Sequence, residues 1–276
     1  MSPGYTSCGG CASMTTLKQC LKAFGKDTVL TNNAGCLVAT TGFYPLTAFK
    51  VPHLFFTYSH AGAAASGMEV ALKRKSIDAD IFLFGGDGGI FDIGLQSFSA
   101  ALERGHNITY ICYDNEAYMN TGVQRSGATP HLAYTKTTQV GKPERKKDIM
   151  KIVASHGDVY CATASPAYPH DLLRKLRKAK EMQKPAFIHI ICPCPTGWDF
   201  DSSLGIELAR LAVETGVVVL YEVNNGKMTL GMVPKKRKPV EEYLMKQGRF
   251  SHLTQAHIAE IQRETDERFY ELTGGR

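Results

Sequence analysis

No stretch of this sequence approaches the roughly 18 consecutive apolar residues that a membrane span needs. Runs such as Phe187–Cys192 and Val217–Tyr221 are only long enough for strands. The opening Met1-Ser2-Pro3-Gly4-Tyr5 has neither a basic segment nor an apolar one. No secretory signal or membrane is therefore expected, and a cytoplasmic protein is. Charge of one sign is also scarce: 32 Lys and Arg stand against 26 Asp and Glu, a formal +6. No basic helix with heptads and no aromatic RNA-binding strand is present, so nucleic acid is not an expected partner. The densest basic block, Lys235-Lys236-Arg237-Lys238, reads as a solvated face. With 43% hydrophobic and 21% charged residues in 276, the chain is not disordered and can bury a large core.

Two nucleotide-binding motifs fail as well. From Gly86 and Gly88 the third glycine of a dinucleotide fingerprint would fall at Phe91. A P-loop would need Ser or Thr after Gly25-Lys26, where Asp27 stands, and a glycine where Cys20 stands. Internal repeats and low-complexity segments are absent.

What is present is alternation. Val29–Asn32, Leu54–Tyr58, Ile81–Phe84, Ile108–Tyr113, Asp158–Thr163 and Ala186–Cys192 read as strands. Ala61, Ala64, Ala65, Met68, Ala71 and Leu72 share a helix face, as do Phe91, Leu95, Phe98 and Leu102. Tyr168–Met182 is a further helix candidate. Strand–helix alternation predicts an α/β fold, a mostly parallel sheet with helices on both faces. Ligands of such folds bind beyond the carboxyl ends of the strands. Residues 195–276 read as a helical and loop-rich C-terminal extension to a domain spanning 1–194.

One strand end carries the first chemical signal. Ile81–Phe84 runs into Gly85-Gly86-Asp87-Gly88-Gly89 and then a helix. Glycines let a backbone approach a phosphate, and a helix N-terminus offers free N–H donors. Asp87 inside such a loop suits Mg²⁺, which prefers octahedral oxygen ligands and bridges protein to phosphate. A second oxygen donor should come from a neighbouring strand end. Asn115 stands 28 residues on, a gap that one helix and one strand fill.

The eight cysteines give the second signal. Cys20, Cys112 and Cys161 lie in apolar periodic segments and read as core thiols. Cys8-Gly-Gly-Cys11 lacks a preceding strand, which argues against a dithiol redox pair. By spacing alone, structural zinc and an iron–sulfur cluster are about equally suited.

The pair Gly86-Asp87-Gly88 and Asn115 resembles the thiamin diphosphate motif. The longer string from Gly86 to Asp92, then Asp114-Asn-Glu-Ala-Tyr-Met-Asn-Thr-Gly122 through Pro130, resembles the β subunit of pyruvate synthase and related 2-oxoacid:ferredoxin oxidoreductases. The likeness continues through Pro193-Cys194-Pro195-Thr196-Gly197-Trp198, Leu211–Gly216 and Gly248-Arg249-Phe250. It implies a thiamin diphosphate-binding domain over 1–194 with an N-terminal cluster-binding segment. It implies Mg²⁺ on Asp87, Asn115 and the Ala117 carbonyl, and Gly86, Gly88, Gly89, Tyr118 and Thr121 around the diphosphate. Asn120 is the implied polar contact to substrate. A 4Fe–4S cluster is implied on Cys8, Cys11, Cys36 and Cys194, with Cys192 the rival for the fourth place. One departure is Tyr5: the resemblance implies a histidine at that place before the CxxC.

The implied activity is oxidative, reversible decarboxylation of pyruvate to acetyl-coenzyme A, with electrons passed to ferredoxin. Oxalate, 2-oxoisovalerate or an aryl-glyoxylate are alternative substrates. Expected partners are the α, γ and δ subunits of a hetero-oligomer, the α subunit binding the pyrimidine and the δ subunit being ferredoxin-like. Competing readings are a non-redox thiamin decarboxylase and a zinc-stabilised binding protein. Glu69, the nearest candidate for the pyrimidine carboxylate, reads as a surface or capping charge, and His60 as a helix cap.

Overall fold

The computed structural model describes residues 1–41 and 47–274. Its strands are β1 (Thr28–Asn33), β2 (His53–Phe56), β3 (Asp80–Gly86), β4 (Thr109–Asp114), β5 (Tyr160–Ala164), β6 (Ala186–Ile191), β7 (Tyr221–Asn224) and β8 (Lys227–Leu230). They form one sheet in the order β2-β1-β3-β4-β6-β5-β7-β8. The first six strands in sequence pair in parallel, as expected. The described helices are α1 (Ala12–Phe24), α2 (Cys36–Thr40), α3 (Ala61–Arg74), α4 (Leu95–Glu103), α5 (Ile149–Ala154), α6 (Pro169–Glu181), α7 (Pro195–Trp198), α8 (Gly205–Glu214), α9 (Glu241–Leu244) and α10 (Gln255–Thr273).

The central strands are buried on both faces, so their sequences run apolar without a solvent side. Strand periodicity sorts them between two cores. Phe82 and Phe84 face α1 and α6, packing with Leu17, Phe24 and Leu176. Ile81 and Leu83 face α3 and α4, packing with Ala65, Phe98 and Leu102. Cys20, Cys112 and Cys161 are fully buried in these cores, as the sequence predicts. Truncating one such buried phenylalanine costs about 3–5 kcal/mol.

Three local expectations need correction. The helix through Phe91 and Leu102 is interrupted: Gly88–Ile93 forms a wider π-helical turn before α4 begins at Leu95. Turns of that kind recur at functional sites. In α3 the exposed Ala71 lies off the buried face, which instead includes Glu69. Residues 195–276 contribute, besides helices and loops, the hairpin β7–β8, with β7 antiparallel to β5. Its two-residue turn, Asn225-Gly226, has φ of 49° and 72°, the left-handed pair that suits a tight hairpin. The rest of this stretch packs around a third core containing Trp198, Leu208, Tyr243, Leu244 and Phe250.

Candidate functional site

Strands β1, β3, β4 and β6 are consecutive neighbours in the sheet. Just past their carboxyl ends stand Cys36, Asp87, Asn115 and Cys194, in that order. Parallel pairing alone therefore gathers four of the predicted site residues at one edge.

A cleft there is lined by Cys36, Tyr58, Gly86, Gly88, Gly89, Asn115, Ala117, Tyr118 and Asn120, among others. Gly88 and Gly89 lie so close to the Tyr118 ring and the Asn33 amide that a methyl group on either would collide. Tyr118 also donates to the Gly88 carbonyl at 2.9 Å. Asn120 is exposed at the mouth. Thr121 is absent from the lining and donates to Gln124 Oε1 at 2.5 Å.

Asp87 is fully buried. Ser126 Oγ donates to its Oδ2 at 2.5 Å, and the Asn115 backbone N–H to its Oδ1 at 3.3 Å. Burial, and next the Asp114 carboxylate, push Asp87 well above the usual carboxylate range, against the pull of Ser126 and Lys146. The Asn115 amide oxygen lies 2.9 Å from Asp87 Oδ1 and 2.9 Å from the Ala117 carbonyl oxygen. The carboxylate, the side-chain amide and the carbonyl therefore converge on one point. Turned one way, the amide nitrogen donates to both neighbours; turned the other, its oxygen joins them as a third ligand for a hard cation. Oxygens bound to Mg²⁺ at about 2.0–2.1 Å in an octahedron stand about 2.9 Å apart along each edge, so this donor set fits that ion.

The other polar groups of the loop are already engaged. Glu116 N–H donates to Asp114 Oδ1 at 3.0 Å. Trp198 Nε1 donates to the Asn115 carbonyl at 2.7 Å, and Thr129 Oγ1 to the Glu116 carbonyl at 2.7 Å. Glu116 itself is left-handed, φ 68°, a conformation costing about 1–2 kcal/mol for a residue with a side chain. Its buried carboxylate pairs with Lys146 at 2.7 Å and Arg249 at 2.6 Å. Lys146 also reaches Asp114 at 2.5 Å, and His189 Nε2 lies 2.6 Å from the same oxygen. Burial would raise Asp114, but Lys146 and His189 outweigh it and hold the carboxyl at about 2.

The four cysteines form the second part. Burial, then the neighbouring Cys194, Cys11 and Cys8, push Cys36 up to about 12. Burial raises Cys194 to about 11 against the Gly197 amide, and Cys11 and Cys8 add to it. Beyond burial, the thiols raise one another, so they lie close enough to share one centre. Among the described residues no three of these sulfurs lie within 4.8 Å of one another. Cys192 is fully buried in the core under α1, 3.5 Å from Thr16 Oγ1. The Cys8–Cys11 loop is held by the C-terminal stretch: a methyl on Gly10 would strike the Ser202 backbone.

Residues 33–190 match the family described as thiamine pyrophosphate enzyme, C-terminal TPP binding domain. Across 99% of its length the chain is 49% identical to the pyruvate synthase subunit PorB of Methanothermobacter thermautotrophicus, covering 96% of that protein. The chain belongs to the β subunits of the 2-oxoacid:ferredoxin oxidoreductases. It is also 44% identical, over 94% of its length and 88% of the relative's, to the ketoisovalerate oxidoreductase subunit VorB of Pyrococcus furiosus. A solved 2-oxoglutarate:ferredoxin oxidoreductase from Magnetococcus marinus shares the fold, with a TM-score of 0.63 and 21% identity over 95% of this chain and 93% of that one. No described helix is long and apolar enough to cross a membrane.

As a β subunit the chain is one part of a hetero-oligomeric enzyme. Glu69 is not a surface charge here: it is buried, pairs with Lys73 and His106, and accepts from Asn107 N–H at 3.4 Å. Those partners precede β4, so Glu69 sits at the opposite end of a strand about 17–20 Å long from the cleft. His60 precedes α3 but makes no capping bond; its Nδ1 meets Thr57 Oγ1 at 2.6 Å. Ser126, Trp198 and Arg249 lie within stretches that carry the resemblance, yet their roles were not foreseen. Asp114, Glu116, Lys146 and His189 were also missed, and no local pattern marks the last two.

Proposed function

We propose that this β subunit binds thiamin diphosphate through Mg²⁺ held by Asp87, Asn115 and the Ala117 carbonyl. Cys8, Cys11, Cys36 and Cys194 would hold a 4Fe–4S cluster. With its α, γ and δ partners it would convert pyruvate and coenzyme A reversibly to acetyl-coenzyme A and carbon dioxide, passing electrons to ferredoxin. The observation that carries the metal assignment is the convergence of the Asp87 carboxylate, the Asn115 amide and the Ala117 carbonyl, with the amide 2.9 Å from each of the other two. The mutual influence of Cys8, Cys11, Cys36 and Cys194 supports one centre shared by the four thiols.

When bound, thiamin diphosphate supplies a nucleophilic carbon and an electron sink for decarboxylation, and an iron–sulfur cluster accepts electrons singly. The chain's own contribution is binding and orientation. Asp87 supplies the anionic oxygen for the metal. Gly86, Gly88 and Gly89 keep the floor of the cleft low, and Tyr118 fixes the Gly88 turn. Asn120, exposed at the mouth, is placed to meet a polar substrate group. Cys36 lines the same cleft, so electrons leaving the cofactor have a short path to the sulfurs. The carboxylate for the aminopyrimidine would come from the α subunit, because Glu69 lies at the wrong end of the sheet.

Pyruvate is preferred because the pyruvate synthase subunits of the first relatives are 46–49% identical over at least 92% of the chain. The 44% likeness to a ketoisovalerate oxidoreductase subunit makes 2-oxoisovalerate the second reading. The test is ferredoxin reduction by the anaerobically co-purified complex over a panel of 2-oxoacids. The highest kcat/KM should fall on pyruvate; a preference for a branched 2-oxoacid overturns that choice.

A further inference from the structure

The turn that presents Asn115 and Ala117 is held by residues that do not face the cleft. Glu116 lies between the two, left-handed and 3% exposed. Its carboxylate is gripped by Lys146 and by Arg249, itself 3% exposed. The Arg249 guanidinium lies 3.9 Å from the centre of the Trp198 ring, and Arg249 Nε donates to Gln247 Oε1 at 2.9 Å. Trp198 in turn donates to the Asn115 carbonyl and closes α7, the short helix that starts just after Cys194. A closed circuit therefore runs from Asn115 through Glu116, Arg249 and Trp198 back to Asn115.

The circuit has a directional consequence. Side chains occupy the Asn115 and Glu116 carbonyls and the Glu116 N–H. That leaves the Asn115 side-chain amide beside both Asp87 Oδ1 and the Ala117 carbonyl, 2.9 Å from each. A residue outside glycine takes a left-handed conformation only when its surroundings impose it. Here a doubly paired buried carboxylate imposes it, and the carbonyl order depends on that conformation.

We propose that Glu116, Arg249 and Trp198 are positioning residues for the Mg²⁺–diphosphate site: the Glu116–Arg249 pair enforces the left-handed turn that aims Asn115 and Ala117 at the ion. This rests on the metal assignment made above. It places the control of metal affinity partly in the C-terminal stretch, 133 residues from Glu116, and joins the metal turn to the helix that follows Cys194.

The test uses the assembled, anaerobically purified enzyme, titrated with Mg²⁺ at fixed thiamin diphosphate. Binding is read by calorimetry and by fluorescence of Trp198, the single tryptophan of this chain, after correction against the partner subunits. Glu116→Ala should weaken Mg²⁺ binding about tenfold or more, read as the binding constant itself. Glu116→Gly loses the same ion pairs but adopts a positive φ freely, so it should recover a large part of the affinity. Glu116→Gln keeps the hydrogen bond to Arg249 and should lie closest to wild type; it and the glycine variant serve if the alanine variant fails to assemble. Asp87→Asn is the reference. If Asp87→Asn loses binding and Glu116→Ala does not, the positioning role is wrong and the metal site stands. A glycine variant no better than alanine also overturns the backbone role. If Asp87→Asn itself binds like wild type, the metal site falls, and the positioning proposal with it.

Discussion

Replacing Asp87 tests the cofactor site most directly. It supplies the one anionic oxygen among the three that converge; the Asn115 amide and the Ala117 carbonyl are neutral. Asp87→Asn takes the protein's charge at the ion from −1 to 0 with almost no change of shape, and its single amide oxygen can still accept from one of the two donors, Ser126 Oγ or the Asn115 N–H. A contact to a charged group in a protein is worth roughly 1.5–3 kcal/mol, and a divalent ion at a fully buried site should exceed that range. At about 1.4 kcal/mol per decade, the expected loss of Mg²⁺ affinity is at least about tenfold to hundredfold. Asp87→Ala should lose more, because it also leaves Ser126 and the Asn115 N–H without an acceptor. The assay is calorimetric titration of the assembled enzyme with Mg²⁺ and thiamin diphosphate, with folding followed by circular dichroism. Asp92→Asn is the control for general charge: Asp92 pairs with Lys147 and accepts from Gly127 N–H at 2.8 Å, outside the oxygen triad. Binding by Asp87→Asn within threefold of wild type, or equal losses at Asp87 and Asp92, would refute the assignment.

Three other outcomes are expected. Cys194→Ala should lose most of the iron and visible absorbance of the anaerobic protein, whereas Cys192→Ala should lose little; zinc without iron in wild type would exclude the cluster. Burial lowers His53 from about 6.5 to about 4, so stability is present above pH 6.5 and is lost as pH falls toward 4. The shift corresponds to at most about 3.4 kcal/mol, which solvent screening at this half-buried ring reduces to about 1–2 kcal/mol; denaturant unfolding between pH 7.5 and 4.5 should show that slope in wild type and not in His53→Gln. The chain purified without its partners should not oxidise 2-oxoacids with a viologen acceptor, and robust turnover by the isolated, cluster-loaded chain would contradict this.

The site was legible in the sequence where it is built from strand ends. Asp87 and Asn115 are 28 residues apart because one helix and one strand separate neighbouring strand ends of a parallel sheet, a distance that local periodicity encodes. The alternation that placed β1 through β6 is local in the same sense. The β7–β8 hairpin was legible too, in Asn225-Gly226, though the reading of a helical and loop-rich extension passed over it. Glu69 was misplaced for a different reason: helix periodicity says which residues share a face, but not whether that face meets another chain segment. His60 stands at the N-cap of α3 as expected, without a side-chain capping bond.

By itself the sequence determined the alternation of β1 through β6 with α3, α4 and α6, the glycine turn with its carboxylate, and the close pair of thiols at Cys8 and Cys11. Only the tertiary structure decided what stands behind them. Lys146 and Arg249 reach Glu116 across 30 and 133 residues, and His189 reaches Asp114 across 75. No local pattern specifies such pairs, because their partners meet only after the sheet and the C-terminal stretch have packed. The same packing sinks Cys192 beneath α1 and leaves Cys194 beside the other three sulfurs, a distinction set by burial rather than by the two-residue spacing between them.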